Sequence, residues 1–232
     1  MLDRWHWQEL LPSLFLAAVL TILWRVPIAS WLVYPFRLFG TFIHELSHGV
    51  AALATGGEFL RFAVHADLSG LAWSSGGVRW VVASAGYVGS ALWGGMLLAL
   101  AARGVPARLL LFGISAALLL LSLLWVENAF GLLSAALLSG MLFYAARRLG
   151  AGAALWLLRL LAVMLTFDSV GSLFDLLLLS GNGGAMTDAH LMAQATGIPA
   201  VIWSLLWSAV SLGVIGISFV VAFGRTTKIN TA

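Results

Sequence analysis

The hydrophobic positions of the chain form long runs, separated by short stretches that contain polar residues, glycine or proline. A membrane-spanning helix needs about 20 apolar residues to cross a bilayer core of about 30 Å. Seven runs meet this requirement, over residues 10–34, 37–55, 80–102, 107–126, 129–146, 152–180 and 199–223. Because Arg25 and Pro27 interrupt the first run, six spans are the alternative. The pattern predicts an all-α polytopic membrane protein, a bundle of about six to seven transmembrane helices that forms one domain over residues 1–232.

The segment between the second and third runs, residues 56–77, has a different pattern. It is polar and rich in glycine and serine, and Leu60, Phe62 and Val64 alternate with other residues before a turn-forming Asp-Leu-Ser-Gly stretch. Alternation followed by a turn predicts a β-hairpin at about residues 57–77, lying against the membrane domain. A strand edge exposed to lipid would leave backbone groups without partners, so helices must shield it, a water-filled cavity must face it, or another segment must pair with it.

The amino-acid composition supports a membrane protein and excludes several other classes. Hydrophobic residues make up 62% of the chain and charged residues 9%, whereas a soluble domain has about 25% charged residues. The mean hydropathy is +1.02. The chain has no cysteine, which excludes disulfides, a cysteine nucleophile and thiolate metal ligands. A metal site would have to use histidine, aspartate or glutamate.

The formal net charge of +3 comes from scattered basic residues, so we expect no nucleic-acid partner. Such residues instead set the topology of membrane proteins and contact lipid headgroups. If every run spans once, the more basic side carries Arg37, Arg103, Arg108, Arg147, Arg148, Arg225 and Lys228. This bias predicts a cytoplasmic C-terminus. Without organelle-targeting features, the chain is expected in a prokaryotic plasma membrane, with the lipid bilayer as its surroundings.

One motif in the second run carries the chemistry, the sequence His44-Glu45-Leu46-Ser47-His48. Two histidines four residues apart lie on one face of a helix and can bind a single Zn²⁺. Glu45 lies beside them and is placed to accept a proton from the attacking water and return it to the leaving amine. A carboxylate at membrane depth is costly, which favours a functional role for Glu45. The alternative is a polar cluster that ties helices together without a metal.

A catalytic zinc site needs a third protein ligand, and several later aspartates are candidates. Asp175 is the first choice, because it lies in an apolar run with no basic residue within one turn, so that it needs a partner. Asp168 is the second choice and alternatively orients a ligand histidine. Asp188 is the third, because Thr187 or Asp188 also fits as the N-cap of a short helix that ends before Gly197.

Other polar or small residues have simpler explanations. Glu127 and Asn128 lie in a short turn between two runs, where we expect a solvated loop. His6 and His65 have no partner at a ligand spacing, so we do not expect them to bind metal. Small residues spaced by four from Gly86 form a face that lets a neighbouring helix approach closely.

These motifs resemble one family, the intramembrane site-2 proteases, and more closely the M50B-like branch of that peptidase group. The resemblance covers most of residues 35–207 and is carried by PFRLFGTFIHELSHGVAALATGG, SAGYVGSALWGG, FDLLLLSG and TDAHLMAQATGIPAVIWSLLW. It implies a helix bundle with a membrane-associated hairpin, His44 and His48 as zinc ligands, and Glu45 as the catalytic glutamate. The family's carboxylate ligand comes from a later helix. The asparagine, proline and aspartate-glycine motif that holds it in better-studied members is absent here.

The leading functional hypothesis is a metalloprotease with one Zn²⁺ per chain, which cleaves peptide bonds in or near transmembrane segments of membrane-protein substrates. A helical substrate must first be unwound, and the hairpin edge at residues 59–66 is predicted to take it as an added strand. The alternative is a non-catalytic membrane scaffold that keeps the metal or the polar cluster for structure. A metal transporter is less consistent with the sequence, because the intramembrane ionisable residues lie in only two runs.

Overall fold

A computed structural model describes residues 26–179 and 187–223, together with four helical positions before them; the side chains at 27–29, 167–179 and 222–223 lie outside the described part. Within it the chain forms seven helices and one two-stranded antiparallel hairpin, which confirms the predicted class of a helical membrane bundle with a small hairpin. The elements are α1 (Pro27–Ala54), β1 (Glu58–Val64), β2 (Gly70–Ser75), α2 (Arg79–Ala102), α3 (Ala107–Trp125), α4 (Ala129–Arg148), α5 (Ala151–Leu179), α6 (Asp188–Thr196) and α7 (Ala200–Phe223).

Most predicted spans agree with the helices to within two residues, but α1 differs. The sequence placed a break between residues 34 and 37, whereas α1 begins at Pro27 and continues through Pro35. Pro27 fits the first turn of a helix, where no backbone N–H is required. An interior proline such as Pro35 is tolerated in a long helix that neighbouring elements support. Most of the predicted first run, residues 10–34, lies before α1 and largely outside the described residues.

Four of the described helices are long and apolar enough to cross a membrane by length and composition. They are α2, α3, α4 and α7, the last over Ala200–Val221. Large apolar side chains remain exposed on their outer faces, among them Leu124 and Leu137. In lipid such faces carry no penalty, and the helices satisfy their own backbone hydrogen bonds. The chain is therefore a polytopic membrane protein.

The main hydrophobic core joins the hairpin to the helices around it. Phe42 of α1, Phe62 of β1, Leu111 of α3 and Leu158 of α5 are fully buried in one cluster. The rings of Phe42 and Phe62 meet edge to face with centroids 6.1 Å apart. Burying large apolar side chains from both elements stabilises their packing. The hairpin is thus held against α1 beside the histidine motif.

The hairpin has a bulge that changes the predicted alternation of its faces. The strands pair from Val64 opposite Gly70 outward, and the register shifts between Phe59 and Arg61. The sequence placed Leu60 on the same face as Phe62, but Leu60 is 53% exposed while Phe59 is buried. An extra residue in one strand moves the following side chains to the opposite face, which accounts for the difference.

The outer edge of β1 is occupied by the connection between α3 and α4. The Glu127 backbone N–H donates to the Phe62 carbonyl oxygen at 3.0 Å. The Asn128 side chain donates to the Val64 carbonyl at 2.7 Å and accepts from the Val64 N–H at 3.2 Å. The prediction of a solvated loop is therefore wrong for Asn128, although Glu127 stays exposed and pairs with Arg61 at 2.8 Å. Because these groups occupy the edge, the prediction that residues 59–66 take a substrate strand is also wrong.

The outer edge of β2 is available instead. Phe62 and Val64 direct backbone groups away from β2, towards the α3–α4 connection. In an antiparallel pair the residues opposite them, Ala72 and Gly70, then direct theirs away from β1. Among the described residues, no backbone group outside the hairpin bonds to β2. The hairpin thus has one covered edge and one open edge.

Candidate active site

The three motif residues of α1 face the interior together. His44 and His48 are one turn apart, and their ring centroids are 4.8 Å apart. Glu45 is 5% exposed and His48 6% exposed. A buried carboxylate beside one buried and one partly buried imidazole is costly unless the groups interact or hold an ion. This placement favours a shared function over a surface role.

Asp188 completes the cluster from the other end of the chain. Its Oδ2 atom lies 3.3 Å from Nε2 of His44 and 3.4 Å from Nε2 of His48. Asp188 is the first residue of α6, and Thr187 takes the N-cap position without a side-chain capping hydrogen bond. The carboxylate of Asp188 is therefore directed to the histidines.

Apolar packing places α6 at this position. Ala189 and Met192 are fully buried against Tyr87 of α2 and Trp207 of α7. The Trp207 ring stacks on Tyr87 with centroids 5.4 Å apart, and its indole N–H donates to Ser84 at 2.8 Å. Burial of these side chains fixes the start of α6 beside α1.

The geometry of the three candidate ligands fits a zinc ion. Two ligand atoms about 2.1 Å from zinc, at a tetrahedral angle, stand about 3.4 Å apart. The two histidine–aspartate separations match this value, and the ligand atoms all lie within 4.8 Å of one another. The donor set of two histidines and one carboxylate is typical of catalytic zinc sites, which leave a further position open.

Residues of α2 orient the histidines. Nδ1 of His48 donates to the Val82 carbonyl oxygen at 2.7 Å, which leaves the Nε2 lone pair free for a ligand role. The His44 ring packs edge to face on Tyr87 with centroids 4.7 Å apart. Gly86 lies directly behind both rings, and a Cβ atom there would overlap His44 Nε2. The small-residue face of α2 therefore also makes room for the histidine pair.

The start of β2 lies against Glu45. Gly70 lies so close to Glu45 that a Cβ atom at position 70 would overlap its carboxylate. The open edge of β2 begins at this same residue. A strand that paired with β2 would consequently place its backbone beside Glu45.

Two hydrogen bonds hold the hairpin tip on α1. The Tyr34 hydroxyl donates to the Ala66 carbonyl at 2.8 Å, and the Thr41 hydroxyl donates to the Leu68 carbonyl at 3.1 Å. Leu68 has a φ of 69°, a left-handed conformation that costs a non-glycine residue about 1 to 2 kcal/mol. Anchoring by α1 helps to stabilise this turn and sets the position of Gly70, two residues later.

The Asp67 carboxylate stabilises the same turn from within. It accepts hydrogen bonds from the hydroxyl of Ser69 at 2.6 Å and from the backbone N–H of Ser69 at 3.0 Å. These bonds lower the pKa of Asp67 below its ordinary value. The turn keeps this support while Asp67 is ionised and loses it as the pH falls through that lowered pKa.

The motif residues open into a cavity of about 630 Å³. Its lining includes the two histidines, Glu45 and Asp188, together with residues of β2 between Gly70 and Ser74. Arg79, at the start of α2, lies on the lining as well. The cavity is large enough for a short extended segment of a second chain.

The structure brings His44, Glu45, His48 and Asp188 together. The side chains of Asp175 and Asp168, the first and second choices for the third ligand, lie outside the described residues, so those assignments stay predictions. His65 is exposed on the hairpin, and His6 lies outside the described residues.

Sequence reasoning missed the roles of Gly70, Tyr34 and Thr41. For two of them a signal was present, because Tyr34, Thr41 and His48 are spaced by seven residues and therefore share one face of α1. Gly70 carried no comparable signal, because its role depends on a contact between the hairpin and α1.

Comparison with known proteins identifies the family. No curated protein and no solved structure matches the chain significantly. The family model described as Peptidase M50B-like matches residues 13–218, most of the chain. The match includes the histidine motif, the hairpin and α6. The chain therefore belongs to the Peptidase M50B-like family.

Proposed function

We propose that the protein is a zinc-dependent membrane peptidase, which hydrolyses peptide bonds in or near transmembrane segments of other membrane proteins. The observation that carries the proposal is the convergence of His44, His48 and Asp188 on the lining of a cavity that Glu45 also lines. Membership of a peptidase family supports the same reaction class. We propose one zinc ion per chain, held by these three side chains.

The residues of the site divide the chemistry among them. Zinc, when bound, supplies a Lewis acid that favours deprotonation of water and polarises a carbonyl. Glu45 accepts the proton of the attacking water and delivers it to the amine that leaves. Its burial keeps the carboxylate away from bulk water. Val82, through His48, holds the required tautomer.

The substrate is proposed to bind in an extended form along β2. A helical peptide bond is shielded and its carbonyl is already hydrogen-bonded, so it must unwind before attack. The outward backbone groups of Gly70 and Ala72 offer hydrogen bonds to an unwound segment. The contact between Gly70 and Glu45 then places a substrate peptide bond beside the catalytic carboxylate.

The cellular setting is proposed from the sequence and the membrane fold. A prokaryotic plasma membrane with a cytoplasmic C-terminus is consistent with the distribution of basic residues. Labelling of single cysteines introduced at Arg103 and at Arg61 with a membrane-impermeant reagent tests the orientation, because the chain has no cysteine of its own. Selective labelling at Arg61 in intact cells is the expected result, and labelling at Arg103 instead would reverse the proposed topology.

Elemental analysis of the detergent-purified protein tests the metal site. We expect one zinc per chain, lost in His44→Ala and in Asp188→Ala but kept in Asp168→Ala and Asp175→Ala. Loss with Asp175→Ala and retention with Asp188→Ala would move the third ligand to α5. A protein that takes up no zinc even on reloading contradicts the zinc peptidase and favours a structural polar cluster.

Glu45→Gln separates catalysis from structure. We expect this variant to keep its zinc, because Glu45 is not one of the proposed ligands, and to lose at least about a hundredfold in cleavage rate. Cleavage of a single-span reporter protein in proteoliposomes provides the assay. Undiminished cleavage by Glu45→Gln with zinc bound would remove Glu45 from the mechanism.

A further inference from the structure

The cavity contains one cation that the proposed chemistry does not use, the guanidinium of Arg79. It is the only Arg or Lys among the described residues on the cavity lining. Neither of the two carboxylates on the lining, Glu45 and Asp188, forms an ion pair with Arg79, and no other ion-pair partner for Arg79 occurs in the described part of the chain. The side chain is exposed and can therefore meet a carboxylate that enters the cavity.

The position of Arg79 relative to β2 sets a distance from the catalytic glutamate. The open strand edge runs from Gly70, which contacts Glu45, to Ser74, and the chain then reaches Arg79 through residues 76–78. A strand rises about 3.3 Å per residue, so Gly70 and Ser74 are about 13 Å apart along the edge. Arg79 follows β2 in the chain and lines the same cavity as Ser74, so a substrate paired with β2 would come nearest to it at the Ser74 end, about four residues from the bond beside Glu45.

We propose that Arg79 is a specificity-determining residue, which selects substrates with a carboxylate about four residues from the cleaved bond. The inference rests on the proposed function, because it requires a substrate strand along β2. An Arg–carboxylate pair is charge-assisted and directional, and both an acidic side chain and a free chain terminus supply the same group.

Reversing the charge of residue 79 in the protein and of one residue in the substrate tests the proposal. The probe is a single-span peptide with a Leu- and Ala-rich segment, which Asn-Gly interrupts to promote unwinding. One version carries Glu and the other Lys, placed three to five residues from the cleaved bond on either side. We expect the Glu probe to be cleaved roughly threefold to tenfold faster than the Lys probe, and Arg79→Glu to reverse this order. Arg103→Glu, at the other end of α2, is the matched control and keeps the original preference.

Binding to the Glu45→Gln variant gives a readout that does not depend on turnover. Fluorescence anisotropy with the same probes is expected to show tighter binding of the Glu probe, reversed by Arg79→Glu in that background. A version of the probe that ends at the selected position, with a free or an amidated C-terminus, distinguishes a terminal carboxylate from an acidic side chain.

Two results would overturn the assignment. The first is a ratio of Glu-probe affinity to Lys-probe affinity that is the same with Arg79 and with Arg79→Glu. The second is an equal loss of binding for both probes in Arg79→Glu, as expected of a lipid-headgroup contact. Failure of the proposed function is recognised separately, by the absence of zinc binding or of cleavage of every probe. The ratio of Glu-probe to Lys-probe binding in the Glu45→Gln background still tests Arg79 in that case.

Discussion

Gly86 illustrates how a single missing side chain shapes the site. It lies where α2 passes behind the histidine rings, and both His44 Nε2 and His48 Nε2 lie within contact of the space that a Cβ atom would occupy. Because the interior is closely packed, displacing either of the two histidine rings costs free energy. The small-residue face of α2 therefore determines the geometry of the histidine pair as well as helix packing.

The variant Gly86→Ala is expected to lose most of its zinc while remaining folded. The added methyl group displaces the His44 ring, and a displaced ligand weakens the site. Zinc content and thermal unfolding in detergent are measured together, with Gly140→Ala as the control, because a Cβ atom at Gly140 meets nothing within 4 Å. Full zinc occupancy in Gly86→Ala would show that the rings adapt.

The residues of the site differ in how far local sequence could identify them. His44, Glu45 and His48 follow from spacing on one helix, because neighbouring positions on a helix face meet in any fold. On sequence alone Asp175 is favoured over Asp188, because an isolated charge in an apolar run is costly, whereas Asp188 also fits as an N-cap. Its role depends on the packing of Met192 on Tyr87, a long-range contact that no local pattern records.

The hairpin and its attachment to α1 act at the scale of elements. The Tyr34 and Thr41 hydroxyls anchor the hairpin tip. Gly70, which comes directly after the tip in the chain, lies against the Glu45 carboxylate. If a substrate strand pairs with β2 as proposed, a shift of the tip would change the alignment of that strand with the Glu45 carboxylate. Misplacement of this kind lowers catalysis without affecting the ligands.

Thr41→Val is expected to reduce the cleavage rate severalfold with zinc content unchanged. The substitution keeps the shape of the side chain but removes one hydrogen bond, worth about 1 kcal/mol. Thr41→Ser retains the hydroxyl and is expected to restore most of the rate. Equal rates for the valine and serine variants in the reporter assay would argue that the tip is positioned by packing alone.

Ala72→Pro tests the open edge of β2. Proline removes the Ala72 N–H, which points away from β1, so the pairing of the hairpin itself is preserved. We expect roughly a fivefold loss of cleavage, corresponding to about one hydrogen bond to the substrate. Ala72→Ser, which keeps the N–H, is the control. Cleavage by Ala72→Pro at the rate of Ala72→Ser would exclude strand addition at this position.

Hydropathy and turn chemistry predicted the existence and most of the bounds of the elements. They did not predict the irregularities within the elements or which strand edge of the hairpin is open. The bounds of α2 to α5 agree with the apolar runs to within two residues, because lipid-spanning helices need long apolar stretches. The continuity of α1 through Pro35 and the bulge near Leu60 depend on support from neighbouring elements. The choice between β1 and β2 as the open edge likewise depends on Asn128, which is distant in sequence.

At the scale of the whole molecule, the proposed metal joins α1 to α6 and should stabilise the fold. A ligand present at about a hundred times its dissociation constant adds about 2.7 kcal/mol to the free energy of unfolding. For a chain of this size we expect chelation to lower the midpoint of thermal unfolding by roughly 5 to 10 °C. Asp188→Ala, which lacks the connection, should show no response to chelator. A shift of equal size in both proteins would mean that the chelator acts elsewhere.

The distance along the chain between the site's two parts has a consequence for the protein's synthesis. Asp188 follows His44 by 144 positions, so a ribosome adding roughly 5 to 20 residues per second takes roughly seven to thirty seconds between them. During that interval the nascent chain has its motif helix in place without the aspartate. If the protein is the zinc peptidase proposed above, a chain at this stage would lack its third zinc ligand and would not cleave the unfinished membrane segments gathered at the insertion machinery.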